Sequence, residues 1–355
     1  MINITDLLND IRTEALSEKH INSKVLIVDG INNYLRAFSV NPAMNDDGTH
    51  IGGIVGFLNT IASAIKQINP TRCVIVFDGK GGSVRRRKLF PDYKMNRKGL
   101  RVRLNRTYDF SDADEEYKES MRQLIRLSYY IDNLPLTTIM QENVEADDVI
   151  AYLATEIFTE DVVIMSTDKD FIQLINDRIT IWSPVKKKLY NPVSILEDYK
   201  FCPSNYLLFR VITGDKNDNI PGIKGIGEKT LFKDINIFNE RINGFDFDEL
   251  IASLEKNSEN KTIQKMIENK ETLYRNYKLM KFGEIQMDGS TKSIIRNIIN
   301  RDVTLINIFK MKQLFLEDKL YSSIPNIDSW ISLNFNKLQS YALKYKGQHE
   351  SENFE

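Results

Sequence analysis

Three short apolar runs that each stop at an aspartate constrain this chain more than any other feature. Lys24-Val25-Leu26-Ile27-Val28 runs into Asp29-Gly30, Arg72-Cys73-Val74-Ile75-Val76-Phe77 into Asp78-Gly79, and Val162-Val163-Ile164-Met165 into Ser166-Thr167-Asp168. Continuous apolar runs of this length belong to strands buried on both faces, the situation of a parallel sheet between helical layers. Helical spacing over 52–67 and over 145–158 alternates with these runs, which predicts an α/β fold. Acids set just past strand ends then collect at the carboxyl edge of the sheet, where open α/β folds bind their ligands.

More acids accompany them. Val144-Glu145-Ala146-Asp147-Asp148 packs three carboxylates into four positions before an apolar run, and Asp168 and Asp170 stand two apart. Such crowding is self-repelling, so a cation is expected among the acids. The three histidines, His20, His50 and His349, are scattered, and the two cysteines, Cys73 and Cys202, are far apart. A disulfide framework and a cysteine–zinc site are thereby excluded, a reducing cytoplasm is expected, and any metal must be held by oxygen, favouring Mg²⁺ or Mn²⁺. No apolar run nears the roughly 20 residues of a membrane span. Three apart on a helix, Glu145 and Asp148 share a face, so these two are expected to meet a metal while Asp147 points elsewhere. A helix amino-terminal cap is the ordinary reading of acids at 145–148, but it leaves those at strand ends unexplained.

The net charge of −1 hides an uneven distribution. Residues 79–106 carry eleven Lys/Arg, including Lys80, Arg85, Arg86, Arg87, Lys88, Lys94 and Arg97, against a single acid, Asp92. Phe90, Tyr93 and Tyr108 lie among them or just beyond, so the stretch combines cations with stacking faces suited to nucleic acid. A second unusual stretch runs from Gly214 to Thr230. Its glycines at 222, 225 and 227 permit a tight hairpin with amides free to approach a phosphate, and Asp215, Asp218 and Lys229 flank them.

Taken in order, Leu26 to Gly30, Val76 to Asp78, Pro91 to Arg97, Val144 to Asp148, Ser166 to Asp170 and Gly214 to Thr230 resemble the motifs of the 5′ nuclease superfamily. That superfamily holds the flap endonucleases, the 5′→3′ exonuclease domain of bacterial DNA polymerase I and the phage 5′ exonucleases. The free-standing phage type, including phage ribonuclease H, looks most similar. The resemblance implies a PIN-like core with a mostly parallel sheet, a helical arch inserted at about 79–131, and a helix–hairpin–helix at 214–235 in a helical region. It implies that Asp29, Asp78, Glu145, Asp147, Asp148, Asp168, Asp170, Asp215 and Asp218 bind two Mg²⁺ ions, replaceable by Mn²⁺. Lys94, Arg97 and Arg86 would meet the scissile phosphate. Tyr34, Arg36, Arg85, Arg87, Lys88, Gly222, Gly225, Gly227, Lys229 and Thr230 would contact DNA, with K⁺ on the hairpin carbonyls.

The expected layout is an amphipathic helix over 1–23, the nuclease core over 24–200, a helical DNA-binding region over 201–345 and a polar tail over 346–355. The expected protein is a soluble, cytoplasmic monomer. It would cleave 5′ flaps and 5′ duplex ends, and RNA primers in RNA–DNA hybrids, recruited by a single-strand binding protein or sliding clamp. A PIN-type ribonuclease and a non-catalytic DNA-binding scaffold are the rival expectations.

Overall fold

Strand β1 (Lys24–Asp29) lies at the middle of a six-stranded sheet, because its side chains are apolar on both sides and need cover on both. The computed structural model describes residues 23–98, 103–234, 247–256, 259–283 and 287–352. The expected amino-terminal helix lies outside the described residues. Beside β1 run β2 (Arg72–Asp78) on one flank and β4 (Asp161–Met165) on the other, both parallel to it. Outside these lie β3 (Thr137–Gln141) and β5 (Ile179–Ser183), also parallel, and an antiparallel edge strand, β6 (Lys188–Tyr190). The order β3-β2-β1-β4-β5-β6 reverses direction between β1 and β4.

The two edge strands, β3 and β6, were not foreseen. In β3 only one face is covered: Ile139 is fully buried while Met140 is exposed, so no continuous apolar run marks it.

Alternation along each central strand feeds two cores. Leu26, Val28, Cys73 and Ile75 point to one side, where α1 (Gly30–Val40), α2 (Gly52–Ile68) and α4 (Ala113–Ile131) pack. Helices α13 (Ile308–Glu317) and α14 (Ile327–Glu352) complete this layer, and α14 continues through most of the stretch expected to be a polar tail. Val25, Ile27, Val74 and Val76 point to the other side, against α5 (Ala146–Tyr152), α6 (Pro192–Tyr199) and α12 (Gly289–Ile299).

The insertion expected at about 79–131 divides. Its first half holds a short helix, α3 (Val84–Leu89), and a 3₁₀ turn, Met95–Lys98. Its second half is α4, which buries Leu127, Tyr130 and Ile131 in the main core and is part of the layered domain.

A third core forms the helical region. Helix α7 (Tyr206–Thr213) leads through a two-strand ribbon, β7 (Gly214–Asp215) with β8 (Ile220–Pro221), into the glycine hairpin and α8 (Glu228–Asp234). Ile223 and Ile226 anchor the hairpin among α9 (Phe247–Lys256), α10 (Lys261–Glu268) and α11 (Lys270–Met280). Buried Asn276 on α11 donates to the carbonyls of Val211 (3.0 Å) and Pro221 (2.9 Å), tying α7 and the ribbon to the helices behind. Gly225 takes the left-handed backbone (φ 83°) that lets the hairpin turn there.

Candidate active site

The carboxyl ends of β1, β2 and β4 open into a cleft of about 620 Å³ at the point where the strand order reverses. Asn33, buried in the first turns of α1, donates to the carbonyls of Asp29 (2.7 Å) and Met165 (3.0 Å) and so fixes the two strand ends side by side. Seven of the nine expected acids line this cleft: Asp29, Asp78, Asp147, Asp168, Asp170, Asp215 and Asp218. They come from four parts of the core and from β7 and the turn that follows it.

Several of these carboxylates are aimed by the backbone they cap. Asp29 accepts from the amide of Asn32 (3.2 Å) and from the Ser166 hydroxyl (2.8 Å), Asp78 from the amide of Ala146 (2.9 Å), Asp168 from that of Asp170 (2.8 Å), and Asp215 from that of Asn217 (2.7 Å). Helix starts and turns supply donors that hold an acid in one orientation.

The remaining two acids are elsewhere, which corrects the expected ranking within 145–148. Asp148 is buried and turned away from the cleft, paired to Arg86 through two contacts of 2.6 and 2.8 Å. Asp147 is the member that faces the other acids. Glu145 precedes the helix in extended backbone (φ −72°, ψ 146°), so the rule that residues three apart share a face does not apply to it and Asp148. Its carboxylate accepts from Arg86 (2.9 Å), from the Tyr93 hydroxyl (3.0 Å) and from Lys94 Nζ (2.9 Å), and therefore stands behind Lys94 at the cleft wall.

Arg86, expected to clamp a phosphate, is only 4% exposed. Besides the two acids its Nε donates to the Leu279 carbonyl (2.9 Å), joining α3, the start of α5 and the end of α11. A guanidinium so committed is a structural counter-ion to Glu145 and Asp148. Tyr34, expected to stack on a base, is likewise corrected: it is 1% exposed, and its hydroxyl donates to the Ser120 carbonyl on α4. Tyr93 offers no stacking face either, since it is buried with its hydroxyl between Glu145 and Asp218 (3.1 Å).

Two cations do border the cleft. Lys94 sits 3.8 Å from Asp218 as well as against Glu145. Arg210 on α7, which no sequence motif singles out, pairs with Asp170 (3.2 Å) and with Asp215. Its place five residues before Asp215 shows only once the chain reverses at Gly214. Arg36 and Lys88 are exposed, Arg85 pairs with Asp288 (2.8 Å), and Arg87 donates to the Tyr93 carbonyl (3.3 Å). The Arg97 side chain lies outside the described ones. In the hairpin, Gly225, Gly227 and Lys229 are exposed, and Gly222 and Thr230 are half-buried.

The electrostatics follow from this placement. Burial pushes Asp29 up to about 7 against the relief of its Ser166 bond, with the charges of Asp168 and Asp78 adding to the rise. Asp170 is also pushed up to about 7, by burial and then by Asp168. Asp147 is raised well above the ordinary carboxylate value by burial and by Asp29 and Asp168. At Glu145 burial is outweighed by Arg86 and Lys94, and its carboxyl is lowered. Lys94 is burdened by burial, yet Glu145 and Asp218 hold it above its usual value.

Among the described residues no three acids close into a ready-made metal cage. Acids that repel one another in an open cleft call for cations that bring part of their own water shell. Charge of that kind, next to Lys94 and Arg210, is what a phosphodiester needs in order to approach so many carboxylates. The fold and the cleft therefore define a hydrolase of nucleic-acid phosphodiesters. Residues 24–200 match the family described as 5′-3′ exonuclease, N-terminal resolvase-like domain. The 5′-3′ exonuclease of Bacillus subtilis (strain 168) is 32% identical over 222 residues, 60% of this chain and 69% of that protein. That of Buchnera aphidicola subsp. Schizaphis graminum is 29% identical over 315 residues, 87% of this chain and 97% of its own. A flap endonuclease of bacteriophage T5, solved as a pseudo-enzyme–product complex with DNA and metal ions, is 25% identical with a TM-score of 0.58, over 83% of this chain and 99% of that one. The chain belongs to the 5′-3′ exonuclease family and is a 5′ nuclease, a hydrolase acting on DNA. Both rival expectations, ribonuclease and inert scaffold, fall away with that assignment.

Proposed function

We propose that this 5′ nuclease is structure-specific and uses two Mg²⁺ ions, cutting 5′ flaps and the 5′ ends of duplexes to leave 5′-phosphates. The observation that carries the reading is the convergence of seven carboxylates on one cleft flanked by Lys94 and Arg210. The donor set fits the metal: all ligands are oxygen, several are held singly by backbone amides, and the cleft has room for water. Asp29, Asp78, Asp147, Asp168, Asp170, Asp215 and Asp218 would hold the two ions, in part through water, with Mn²⁺ able to substitute. Bound there, the ions supply Lewis acidity to the attacking water and to the departing oxygen.

The protein's own residues do the rest. Lys94 exchanges its contact with Glu145 for the phosphate being cut, where its charge stabilises the developing negative charge. Arg97 and Arg210 assist at the same phosphate. Glu145, Tyr93 and Arg86 fix where Lys94 starts from. Gly222, Gly225, Gly227, Lys229 and Thr230 at the hairpin grip the duplex backbone, with K⁺ on the hairpin carbonyls, while Arg36, Arg85, Arg87 and Lys88 add phosphate contacts. RNA primers in RNA–DNA hybrids would be a further substrate, and a single-strand binding protein or sliding clamp a recruiting partner, in the cytoplasm.

Incubation with an end-labelled 5′-flap duplex tests this, in Mg²⁺ and in chelator, for the wild type and for Lys94→Ala. Mg²⁺-dependent release of the flap, slowed sharply but still measurable in Lys94→Ala with binding retained, is expected. Wild-type cleavage by Lys94→Ala would remove the role given to that lysine, and cleavage in chelator would remove the metal.

A further inference from the structure

The base of the basic insertion is fastened to the turn that leads into the glycine hairpin, and it is fastened from both sides. The Lys94 amide donates to the Asp218 carbonyl (2.9 Å). Asn96 Nδ2 donates to the carbonyls of Lys216 (2.9 Å) and Asn217 (3.3 Å), and in return Asn219 Nδ2 donates to the Asp92 carbonyl (2.8 Å). Residues 92–96 and 216–219 thus hold each other across more than a hundred positions of sequence.

Both partners are bent to make this fit. Lys94 (φ 55°) and Asn219 (φ 58°) both adopt the left-handed backbone, which asparagine takes readily in turns but lysine rarely takes unless its surroundings impose it. The reversal at Lys94 turns its amide toward Asp218 while its side chain reaches Glu145. The other partner, 216–219, closes the ribbon of β7 and β8 and runs three residues later into the hairpin at Gly222. The position of the Lys94 backbone is therefore set by a turn continuous with the proposed duplex grip.

We propose that Asn96 and Asn219 are positioning residues that couple duplex engagement at the hairpin to the placement of Lys94 at the reacting phosphate. Neither amide touches an acid of the cleft. When the hairpin settles on a duplex, the turn at 216–219 moves with it, and the latch carries the Lys94 backbone along. Substrate that lacks a duplex for the hairpin leaves Lys94 on Glu145, so the latch also contributes to selection of duplex-borne 5′ ends. The inference rests on the role proposed above for Lys94.

The test uses Asn219→Gly, which keeps the left-handed backbone and removes the amide, and Asn96→Ala, at a residue exposed to solvent. Displacing a reacting group by about an ångström costs up to about a hundredfold in rate, so single-turnover cleavage of a 5′-flap duplex at saturating enzyme and Mg²⁺ is expected to fall at least about tenfold in each variant. Duplex affinity in chelator and melting temperature are expected to stay at wild-type values. The double variant is expected to be no slower than the slower single one, and in a Lys94→Ala background Asn219→Gly is expected to add no further loss. Wild-type cleavage by either single variant overturns the coupling, as does a full additional loss in the Lys94→Ala background, which would mark the bonds as purely structural. Wild-type cleavage by Lys94→Ala alone would instead overturn the role of the lysine, and the two failures are read from different proteins.

Discussion

Asp147 and Asp148 are neighbours of identical chemistry in opposite circumstances, and replacing each by asparagine separates them. Asp148 is 6% exposed and its partner Arg86 4%. Asp148→Asn keeps the shape and one acceptor oxygen but removes the charge and turns an amide donor toward the guanidinium, which is left with Glu145 at 2.9 Å as its remaining charged partner beside the Leu279 carbonyl at 2.9 Å. Removing one member of a buried ion pair costs about 3–5 kcal/mol. Because Glu145 still compensates part of the charge, about 3 kcal/mol is expected here, which at about 2 °C per kcal/mol for a large domain lowers the melting temperature by about 6 °C. Asp147→Asn does the reverse. It removes a charge that burial, Asp29 and Asp168 all disfavour, so the metal-free protein is expected to melt no lower than wild type while flap cleavage is abolished. Thermal melts in chelator, paired with single-turnover cleavage at saturating Mg²⁺ below both melting temperatures, give both readouts. If Asp148→Asn melts like wild type and does not cleave, while Asp147→Asn cleaves normally, the division of roles drawn from the geometry is refuted.

Metal-free stability is expected to fall with rising pH. Asp29 and Asp170 hold their protons to about 7 when folded against an ordinary value of 3.8, so between those values the folded chain binds more protons than the unfolded one and loses stability as pH rises. Melting in chelator at pH 5.5 and pH 8 checks this, with Mg²⁺ expected to raise the pH 8 value more than the pH 5.5 one; equal values at both would contradict it. Tyr34→Phe removes only the hydroxyl bond to Ser120 and keeps the ring, so a loss of about 1 kcal/mol with unchanged DNA affinity is expected, whereas weakened binding at wild-type stability would give the hydroxyl a role at the DNA. Gly222→Ala would bring a methyl group 2.2 Å from the Thr213 carbonyl, so the hairpin must shift; weaker duplex binding and a lower melting temperature are expected, and wild-type values of both would show that the hairpin has slack.

The central strands and the acids behind them were readable because both signals are local: an apolar run, then the next residue. The edge strands β3 and β6 carry no such signal, being covered on one side only. Within 145–148 the local rule failed for a definite reason, since Glu145 is the residue before the helix and its direction is set by extended backbone. Arg86 sits in a run of Arg85, Arg86, Arg87 and Lys88, and a helix of six residues gives no periodicity to tell the buried cation from its exposed neighbours. Arg210 reads as one polar residue in an apolar helix until the reversal at Gly214 brings Asp215 back to it. Cap and active-site ligand also proved compatible descriptions of one residue: Asp29 and Asp168 cap helical turns with one oxygen and line the cleft as well.

That double employment bears on which ion the cleft prefers. Asp78 and Asp168 each have one oxygen engaged by a backbone amide, so each turns a single tooth toward the cleft, while Asp215 has one oxygen on the Asn217 amide and the other on Arg210. Calcium gathers six to eight oxygens and commonly takes both from one carboxylate, whereas magnesium is content with one oxygen per acid and completes its octahedron with water. A site of single teeth starves the larger ion of ligands and suits the smaller one. On the two-Mg²⁺ reading proposed above, discrimination between two ions of equal charge would thus be written into the hydrogen bonds that start helices, well before either ion arrives.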